Sequence, residues 1–236
     1  MDKAGSRLRE QMASPVIFDT EAEEVRESDI SVVNSYRRTY SDPLLKVRMG
    51  LTSFRATIGA PNAAITQRTK RYNRIVTKLV RFPRQRLSQM QDIGGVRVVL
   101  NDLSESDAIV ERILRNWSGA IRRHDDYVAR PQPSGYRSHH IVVDRDGRLV
   151  EIRVRTESQH TWAESVESVG RMIDQELKWG DGPPEILDYY SQLGDVVDLT
   201  DRGVPMSDVV LNNVNAARDE ARRRIVLLLK GGDRDG

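Results

Sequence analysis

The 236-residue sequence contains no cysteine and few aromatic residues, which make up 6% of the chain. The absence of cysteine excludes disulfide bonds, thiolate metal sites and cysteine nucleophiles. No stretch approaches the ~20 consecutive apolar residues that a membrane-spanning helix needs. The N-terminus carries Asp2 and Glu10 but no apolar run, so we expect no signal peptide and a cytoplasmic protein without a membrane partner.

A large excess of one charge is also missing, because 37 basic residues are balanced by 35 acidic ones, for a formal net charge of +2. This balance is not that of a general polyanion binder, so any affinity for nucleotides or nucleic acid would depend on local clusters. Hydrophobic residues make up 38% of the chain, which is enough to bury a core. The length suits one sizeable domain with helical additions rather than two full domains.

The apolar pattern predicts an α/β (α+β) domain in which helices flank a mixed central β-sheet. The predicted strands are residues 93–100, 136–144 and 148–156. The last two flank Asp146-Gly147, a strong hairpin signal. Residues 93–100 are β-branched and nearly free of charge, which suits a strand buried on both faces.

Helical spacing of apolar residues predicts helices before, between and after these strands. They cover residues 30–58, in two parts divided by Pro43, and residues 62–79, 104–117, 158–177 and 207–230. Ser104 is the expected N-cap of its helix, with Asp107 three residues on. We therefore expect an N-terminal helical arm over 1–60, whose first 30 residues form a loose arm or a short helix, a central domain over 61–180 and a C-terminal helical extension over 181–236.

The strand at 148–156 has the clearest chemical pattern. Its apolar residues alternate with three charged ones on the opposite face: Glu151, Arg153 and Arg155. These charges follow one another at about 7 Å, since each residue rises ~3.3 Å. Such a face is either an exposed, salt-bridged surface or the wall of a charged site. On the partner strand, Tyr136, Ser138 and His140 share a face, and Tyr136 sits at the strand's mouth, where a ring can stack on a base.

An acid and a basic run precede these strands. Asp92 stands at the start of a strand beside Gly94 and Gly95, an arrangement that suits a metal–phosphate site as well as the capping of a turn. The basic run consists of Arg68, Lys70, Arg71, Arg74, Lys78, Arg81, Arg84 and Arg86. Helical spacing would bring Lys70, Arg74 and Lys78 onto one face. The run is either a solvated helix face or a clamp for a triphosphate.

Six motifs in order make the chain resemble the synthetase domain of the RelA/SpoT family, the alarmone synthetases. They are Arg68-x-Lys70 with Lys78, QDIGGVRVV from Gln91, DDY from Asp125, SGYRSHH from Ser134, VEIRVRT from Val150, and WAESVE from Trp162. The resemblance covers residues 62–178, about half the chain. Each motif is weak alone, but the ordered set is specific.

The resemblance implies transfer of the β,γ-pyrophosphate of ATP to the 3′-hydroxyl of GDP or GTP, giving (p)ppGpp, with Mg²⁺ as cofactor. It implies that Asp92 binds magnesium and that Glu151 completes the metal site or deprotonates the hydroxyl. It places Arg68, Lys70, Lys78 and Arg97 on the ATP side. It also implies that Tyr136 stacks on the acceptor guanine with His140 beside it, and that Arg155 and Glu167 support the site.

Departures from the family pattern concentrate on the acceptor side. Asp125, Gln132 and Ser134 stand where the family has lysine, lysine and asparagine, and Ser168 and Arg153 also differ. In the family, the missing lysines would bind the phosphates of the acceptor nucleotide. Their loss weakens phosphate binding in a partly buried site by on the order of several kcal/mol. Other cations can replace them, and the candidates are Arg122, Arg123, Arg130 and Arg137.

Three interpretations therefore remain open. The chain is a small alarmone synthetase, or it resembles the toxic type that modifies the tRNA 3′ end or an adenine nucleotide, or it is an inactive nucleotide-binding module. A tRNA acceptor would need no phosphate-gripping lysines, and Arg37-Arg38 or Arg222-Arg223-Arg224 would contact its backbone. The partners to consider are a second copy of the chain, through the amphipathic last helix, and an antitoxin protein.

Overall fold

The computed structural model describes residues 1–13 and 20–231 of the chain. The helices are α1 (Asp2–Ala13), α2 (Thr20–Arg38), α3 (Ser41–Ile58), α4 (Tyr72–Arg81), α5 (Leu103–Asn116), α6 (Glu157–Met172), α7 (Pro184–Asp201) and α8 (Asp208–Gly231). The strands are β1 (Ala64–Thr69), β2 (Gly94–Leu100), β3 (Ile121–Asp126), β4 (His139–Arg145) and β5 (Arg148–Thr156). The predicted α+β class is confirmed.

The five strands form one mixed sheet in the order β1-β2-β5-β4-β3. β2 and β5 run parallel, and the other neighbouring pairs are antiparallel. The β4–β5 hairpin turns at Asp146-Gly147, where both residues have positive φ, 54° and 71°. This backbone suits an Asp-Gly pair, so the hairpin prediction is confirmed.

One face of the sheet carries the main hydrophobic core. Inward side chains from β2 and β5, including Val96, Val98 and Ile152, pack with α3 and α5. The opposite side of β2 is only half-buried, so the prediction of a strand buried on both faces is wrong. Because neighbouring strands share that side, Gly95 lies beside Glu151 and Arg97 beside Arg153. The polar side chains of two central strands therefore share one surface.

A second hydrophobic cluster packs α6, α7 and α8 together with Tyr136. Its fully or nearly fully buried members include Trp162, Ile186 and Tyr190. The indole Nε1 of Trp162 donates a hydrogen bond to the Tyr190 carbonyl oxygen at 3.0 Å. Helices α7 and α8 therefore pack directly against α6 and against Tyr136 just before β4. The predicted boundaries at 60 and 180 stay predictions.

The N-terminal helices lie against the rest of the molecule. Ala4 and Leu8 of α1 are buried, and Arg7 donates to the buried carboxylate of Asp29 at 2.8 Å. Helices α2 and α3 are separate, as Pro43 predicts, and Pro43 lies in the first turn of α3, where its missing N–H costs nothing. Residues 14–19, part of the predicted loose arm, lie outside the described residues. Within residues 1–13 and 20–231, no helix is both long and apolar enough to cross a membrane.

Two further predictions about local structure are wrong, and one strand was missed. Residues 64–69 form β1 rather than the start of a helix, so Lys70 lies before α4 and does not share a helical face with Arg74 and Lys78. Strand β3 was not predicted, because its sequence is mostly charged and it lies at the sheet edge. The N-cap of α5 is Asp102, whose carboxylate accepts from the backbone N–H of Glu105 at 2.9 Å, rather than Ser104.

Candidate active site

A cavity of about 380 Å³ opens on the polar face of the sheet, beside β1, β2 and β5. It is lined by Thr66, Gln67, Arg68, Lys70, Asp92, Gly95, Val96, Arg97, Glu151, Arg153 and Glu164. Both acids expected to hold a metal line it, as do three of the four residues expected on the ATP side. A larger hollow lies along α8. Its lining contains a single carboxylate, that of the exposed Asp219, and none of the residues that the motifs identify. The sheet cavity is therefore the candidate site.

Asp92 lies at the wall of this cavity between two lysines. The Nζ atoms of Lys70 and Lys78 lie 2.7 Å and 3.0 Å from its carboxylate oxygens. Burial opposes ionisation of Asp92, but the two ammonium groups outweigh it, and the pKa of the carboxyl lies below its usual value. Lys78, in α4, belongs to this group although it does not line the cavity itself. The carboxylate is therefore ionised at neutral pH.

Glu151 is the second ionised acid. Its Oε1 lies 3.1 Å from His140 Nδ1, and its Oε2 lies 2.6 Å from Arg153 Nη2. Burial alone would raise the pKa of Glu151, but Arg153 and His140 outweigh it and hold that pKa well below its usual value. The pair of Glu151 and Arg153 follows from their separation of two residues along β5, which brings both side chains onto the same face of the strand.

The two carboxylates form a donor set that fits magnesium in part. Magnesium is commonly held by one or two protein carboxylates, with substrate phosphates and water supplying the rest. Among the described residues, no group of three or more His, Cys, Asp and Glu side chains could hold a metal alone. Asp92 and Glu151 line the same cavity, so a magnesium ion there would take its remaining ligands from substrate and water.

The walls of the cavity are basic. Arg68 lies opposite Gly95 in the β1–β2 register, so the edge strand brings a guanidinium to the cavity. Arg97 on β2 pairs with Glu164 of α6 at 3.1 Å. Gly95 faces the cavity, whereas a Cβ on Gly94 would lie 2.7 Å from the ring of Tyr40. Of the two glycines expected to allow close approach of a phosphate, Gly94 is therefore explained by packing against α3.

Tyr136 does not lie open at the mouth of a strand. It precedes β4, and 0% of its surface is exposed. Its hydroxyl oxygen lies 2.5 Å from Arg155 Nη2 and 2.6 Å from His140 Nε2. Burial would raise the pKa of Tyr136, but the surrounding cations, chiefly Lys178 and Arg155, outweigh it and lower that pKa. Stacking of a guanine on this ring stays a prediction, and it requires the ring to be uncovered first.

Lys178 is the residue that sequence reasoning missed. It is 5% exposed, its Nζ lies 4.3 Å from the centre of the Tyr136 ring, and it pairs with Glu167 at 3.0 Å. Burial lowers the pKa of Lys178, and Lys178 in turn lowers the pKa of Glu167 against the effect of burial. Glu167 and Arg155 thus meet in one buried cluster around Tyr136. No motif marked Lys178, which lies in a single turn of 3₁₀ helix after α6.

Arg137, a candidate for gripping acceptor phosphates, is 8% exposed and fully engaged with the protein. Its guanidinium donates to the carbonyl oxygens of Val128 and Gly194 and to the carboxylate of Asp195, at 3.1–3.3 Å. Two other candidates are paired on the surface, Arg122 with Asp144 at 3.1 Å and Arg123 with Asp125 at 2.7 Å. The family position occupied by Asp125 is therefore an ion pair at the sheet edge.

The loop before β4 is held against α7 by a close backbone contact. Gly135 has a φ of +85°, and a Cβ there would lie 2.7 Å from the carbonyl oxygen of Tyr190. On the other side, a Cβ on Gly194 would collide with the Gly135 carbonyl. Ser134 adds a hydrogen bond from its hydroxyl to the Lys178 carbonyl at 2.8 Å. The position of Tyr136 thus depends on α7 and on the turn that contains Lys178.

Comparison with known proteins adds family relationships to this geometry. A family model described as the region found in RelA / SpoT proteins matches residues 67–170. The guanosine-3′,5′-bis(diphosphate) 3′-pyrophosphohydrolase of Aquifex aeolicus is 30% identical over 207 residues, which cover 86% of this chain and 28% of that protein. The GTP pyrophosphokinase YwaC of Bacillus subtilis is 26% identical over 147 residues, 57% of this chain and 68% of that one.

Solved structures show the same fold. The crystal structure of the small alarmone synthetase 1 from Bacillus subtilis, bound to its product pppGpp, aligns with a TM-score of 0.59 at 22% sequence identity. The alignment covers 72% of this chain and 94% of that one. The chain spans little more than a quarter of the Aquifex relative, so that protein extends far beyond the shared part.

Proposed function

We propose, from the premise that residues 67–170 of this chain match the model of the region found in RelA and SpoT proteins, that the chain is a GTP pyrophosphokinase. In this proposal it transfers the β,γ-pyrophosphate of ATP to the 3′-hydroxyl of GDP or GTP. The observation that carries the proposal is the cavity in which two ionised carboxylates, Asp92 and Glu151, are each held by basic side chains. The relatives that are named as GTP pyrophosphokinases support the same reaction.

The ATP side is the basic wall around Asp92. Pyrophosphate transfer asks the protein mainly for positioning and for neutralisation of phosphate charge. Arg68 and Arg97 line the cavity, and Lys70 and Lys78 are close enough to Asp92 to serve phosphates bound beside it. Bound magnesium would supply charge neutralisation between Asp92, Glu151 and the phosphates of ATP.

The reaction has a simple balance. The ribose 3′-oxygen bonds to the β-phosphorus of ATP, the bond from that phosphorus to the α-phosphate oxygen breaks, and AMP leaves. The hydroxyl proton passes to a base, and Glu151 is the residue we assign to this role because its carboxylate faces the cavity. Arg153 and His140 keep that carboxylate in place.

A second acceptor is favoured by one observation. Arg137 is buried and bonded to the protein, and an acid, Asp125, stands beside Arg123, so the acceptor side offers the phosphates of a guanine nucleotide a weaker grip than the family's lysines would. A tRNA presents its terminal ribose without a free 5′-diphosphate, and it would need no such grip. Transfer to the tRNA 3′ end is therefore the second candidate function, and the antitoxin and homo-oligomer partners remain predictions.

Labelling separates the candidates. The protein is incubated with γ-labelled ATP and Mg²⁺, and separately with GDP, GTP, ATP or bulk tRNA, with Glu151→Gln as the control. Label in a guanosine tetra- or pentaphosphate is the expected result. Label in tRNA or in an adenine nucleotide alone would replace the acceptor, and no transfer to any acceptor would leave a nucleotide-binding module.

A further inference from the structure

The ring of Tyr136 is enclosed on several sides. Lys178 Nζ lies 4.3 Å from its centre, and the guanidinium carbon of Arg155 lies 5.0 Å from it. The rings of Tyr127, Trp162 and Trp179 are centred 6.0–6.1 Å away. With 0% of the residue exposed, its aromatic faces contact only the protein.

The hydroxyl of Tyr136 is connected to the cavity through His140 and Glu151. Its oxygen lies 2.6 Å from Nε2 of His140, and the Nδ1 atom of the same imidazole lies 3.1 Å from Oε1 of Glu151. A carboxylate carries no proton to donate, so an attractive contact at this distance requires the proton to sit on Nδ1. Because both ring nitrogens are engaged, the imidazole has one orientation, and it bridges a buried phenol to an acid of the cavity.

We propose that Tyr136 is a positioning residue that acts through its hydroxyl, fixing His140 so that His140 fixes the Glu151 carboxylate in the cavity. This inference rests on the proposed function, in which Glu151 is one of the two acids of the reacting centre. It assigns Tyr136 a role different from the stacking that the family resemblance implies. Only a phenol oxygen can fill this role, because it accepts a hydrogen bond from Arg155 at 2.5 Å while it bonds to His140 at 2.6 Å.

The physical reason lies in the geometry of a carboxylate. The last torsion of a Glu side chain is broad, so Glu151 can turn unless both oxygens are held. Arg153 holds Oε2, and His140 holds Oε1. Without the phenol oxygen, the imidazole loses the partner of Nε2 in a site where it is 5% exposed, and it can turn away from Glu151. A shift of about 1 Å at a reacting group lowers the rate roughly 100-fold.

The decisive variant is Tyr136→Phe, which keeps the ring and removes only the oxygen. We expect kcat for transfer to fall about 10- to 100-fold, while KM for the acceptor changes less than about threefold. A stacking role would be preserved by phenylalanine, so a kcat equal to that of the wild type would overturn the inference. A loss confined to KM would overturn it as well.

Tyr190→Phe is the matched control. Tyr190 is also a buried tyrosine of the same aromatic cluster, but its hydroxyl bonds to Ser165 Oγ at 2.9 Å, away from Glu151. We expect this variant to keep kcat and KM. Thermal unfolding of both variants shows whether each is folded at the assay temperature. If Tyr190→Phe lowers kcat as much as Tyr136→Phe, general loosening of the cluster explains the loss and the inference fails.

A double-variant cycle tests the path through His140. If Tyr136 acts on Glu151 through His140, Tyr136→Phe should reduce kcat little further in a His140→Gln background. Independent, multiplicative losses would overturn the path.

Spectroscopy keeps this test separate from the proposed function. If the wild type transfers pyrophosphate to no acceptor, the proposed function fails, and the His140 Nδ1 proton still reports the geometry in a ¹⁵N-edited spectrum. That resonance, identified by its loss in His140→Gln, should shift or exchange faster in Tyr136→Phe. An unchanged resonance would overturn the positioning role.

Discussion

The cavity wall around Asp92 and the buried cluster around Tyr136 are built from the same kinds of side chains. Each combines cations with carboxylates at hydrogen-bonding distance. Their exposure differs, because Arg68 at the cavity is exposed whereas Arg155 is 1% exposed. Charges in the first region can exchange a protein partner for a phosphate, and charges in the second cannot do so without opening the fold. Among residues that the same motifs identify, exposure therefore distinguishes those that we expect to contact substrate from those that hold the fold together.

The largest effect should come from the acids that face the cavity. Asp92→Asn or Glu151→Gln removes a charge from the reacting centre while it preserves shape. We expect transfer to fall at least about 100-fold, which corresponds to about 3 kcal/mol, with the fold intact by circular dichroism. A purified double variant that retains substantial activity would refute the assignment of this cavity.

The next effect in size compares a buried arginine, Arg137, with an exposed one, Arg68. Arg137→Met removes three buried or half-buried hydrogen bonds and should lower the free energy of unfolding by about 2 kcal/mol. Arg68→Met, at the exposed wall, should lower it by less than about 0.5 kcal/mol but raise KM for ATP. Urea unfolding and steady-state kinetics of both variants provide the comparison. Equal losses of stability would mean that burial does not distinguish these two guanidinium groups in the way that it distinguishes the cavity wall from the buried cluster.

Two lysines give a smaller and parallel contrast. Lys78→Met should raise KM for ATP about tenfold, or about 1.4 kcal/mol, because it removes a cation beside Asp92. Lys178→Met keeps the apolar stem against Tyr136 and should leave KM for ATP unchanged. A change in KM for ATP upon the second substitution would show that the buried cluster reaches the ATP side.

The smallest effect concerns acid stability. The pKa of Asp92 is lower in the folded chain than its ordinary value of 3.8, so near that pH the unfolded chain binds more protons. Stability from this carboxylate is therefore present above about pH 4 and is lost as the pH falls through the folded pKa. Urea unfolding between pH 3 and pH 6 should show a shallower decline for Asp92→Asn than for the wild type. An identical pH dependence would indicate that the two lysines do not stabilise the ionised form.

The sequence predicted the parts of the fold that have strong local signals. The strand 148–156 and the Asp146-Gly147 turn are confirmed, since alternation and an Asp-Gly pair both act over a few residues. The resemblance to RelA/SpoT proteins is confirmed over residues 67–170. Edge strand β1 was mistaken for helix because its polar side chains lack a clear period of two.

The motifs identified residues that the structure brings close together, but they did not predict how exposed those residues are. Motif order identified Asp92, Glu151 and Tyr136, but burial depends on elements far away in the chain. Lys178 covers Tyr136 from a turn 42 residues later, and no local pattern encodes that contact. The catalytic and binding roles of these residues stay predictions until the variants are measured.

The close contact of Gly135 with α7 has a consequence for how the protein is made. A ribosome adds about 5–20 residues per second, so the roughly 60 residues that separate Gly135 from Gly194 take about 3–12 seconds to synthesise. Strands β4 and β5, with Glu151, are made early in that interval, so in its later part a nascent chain contains all five strands and both acids of the cavity, but not yet the backbone of Gly194 against which the loop before Tyr136 packs. The cavity around Asp92 can thus form on the ribosome before the segment that holds Tyr136, and under the proposed function transfer would begin only after α7 has been made.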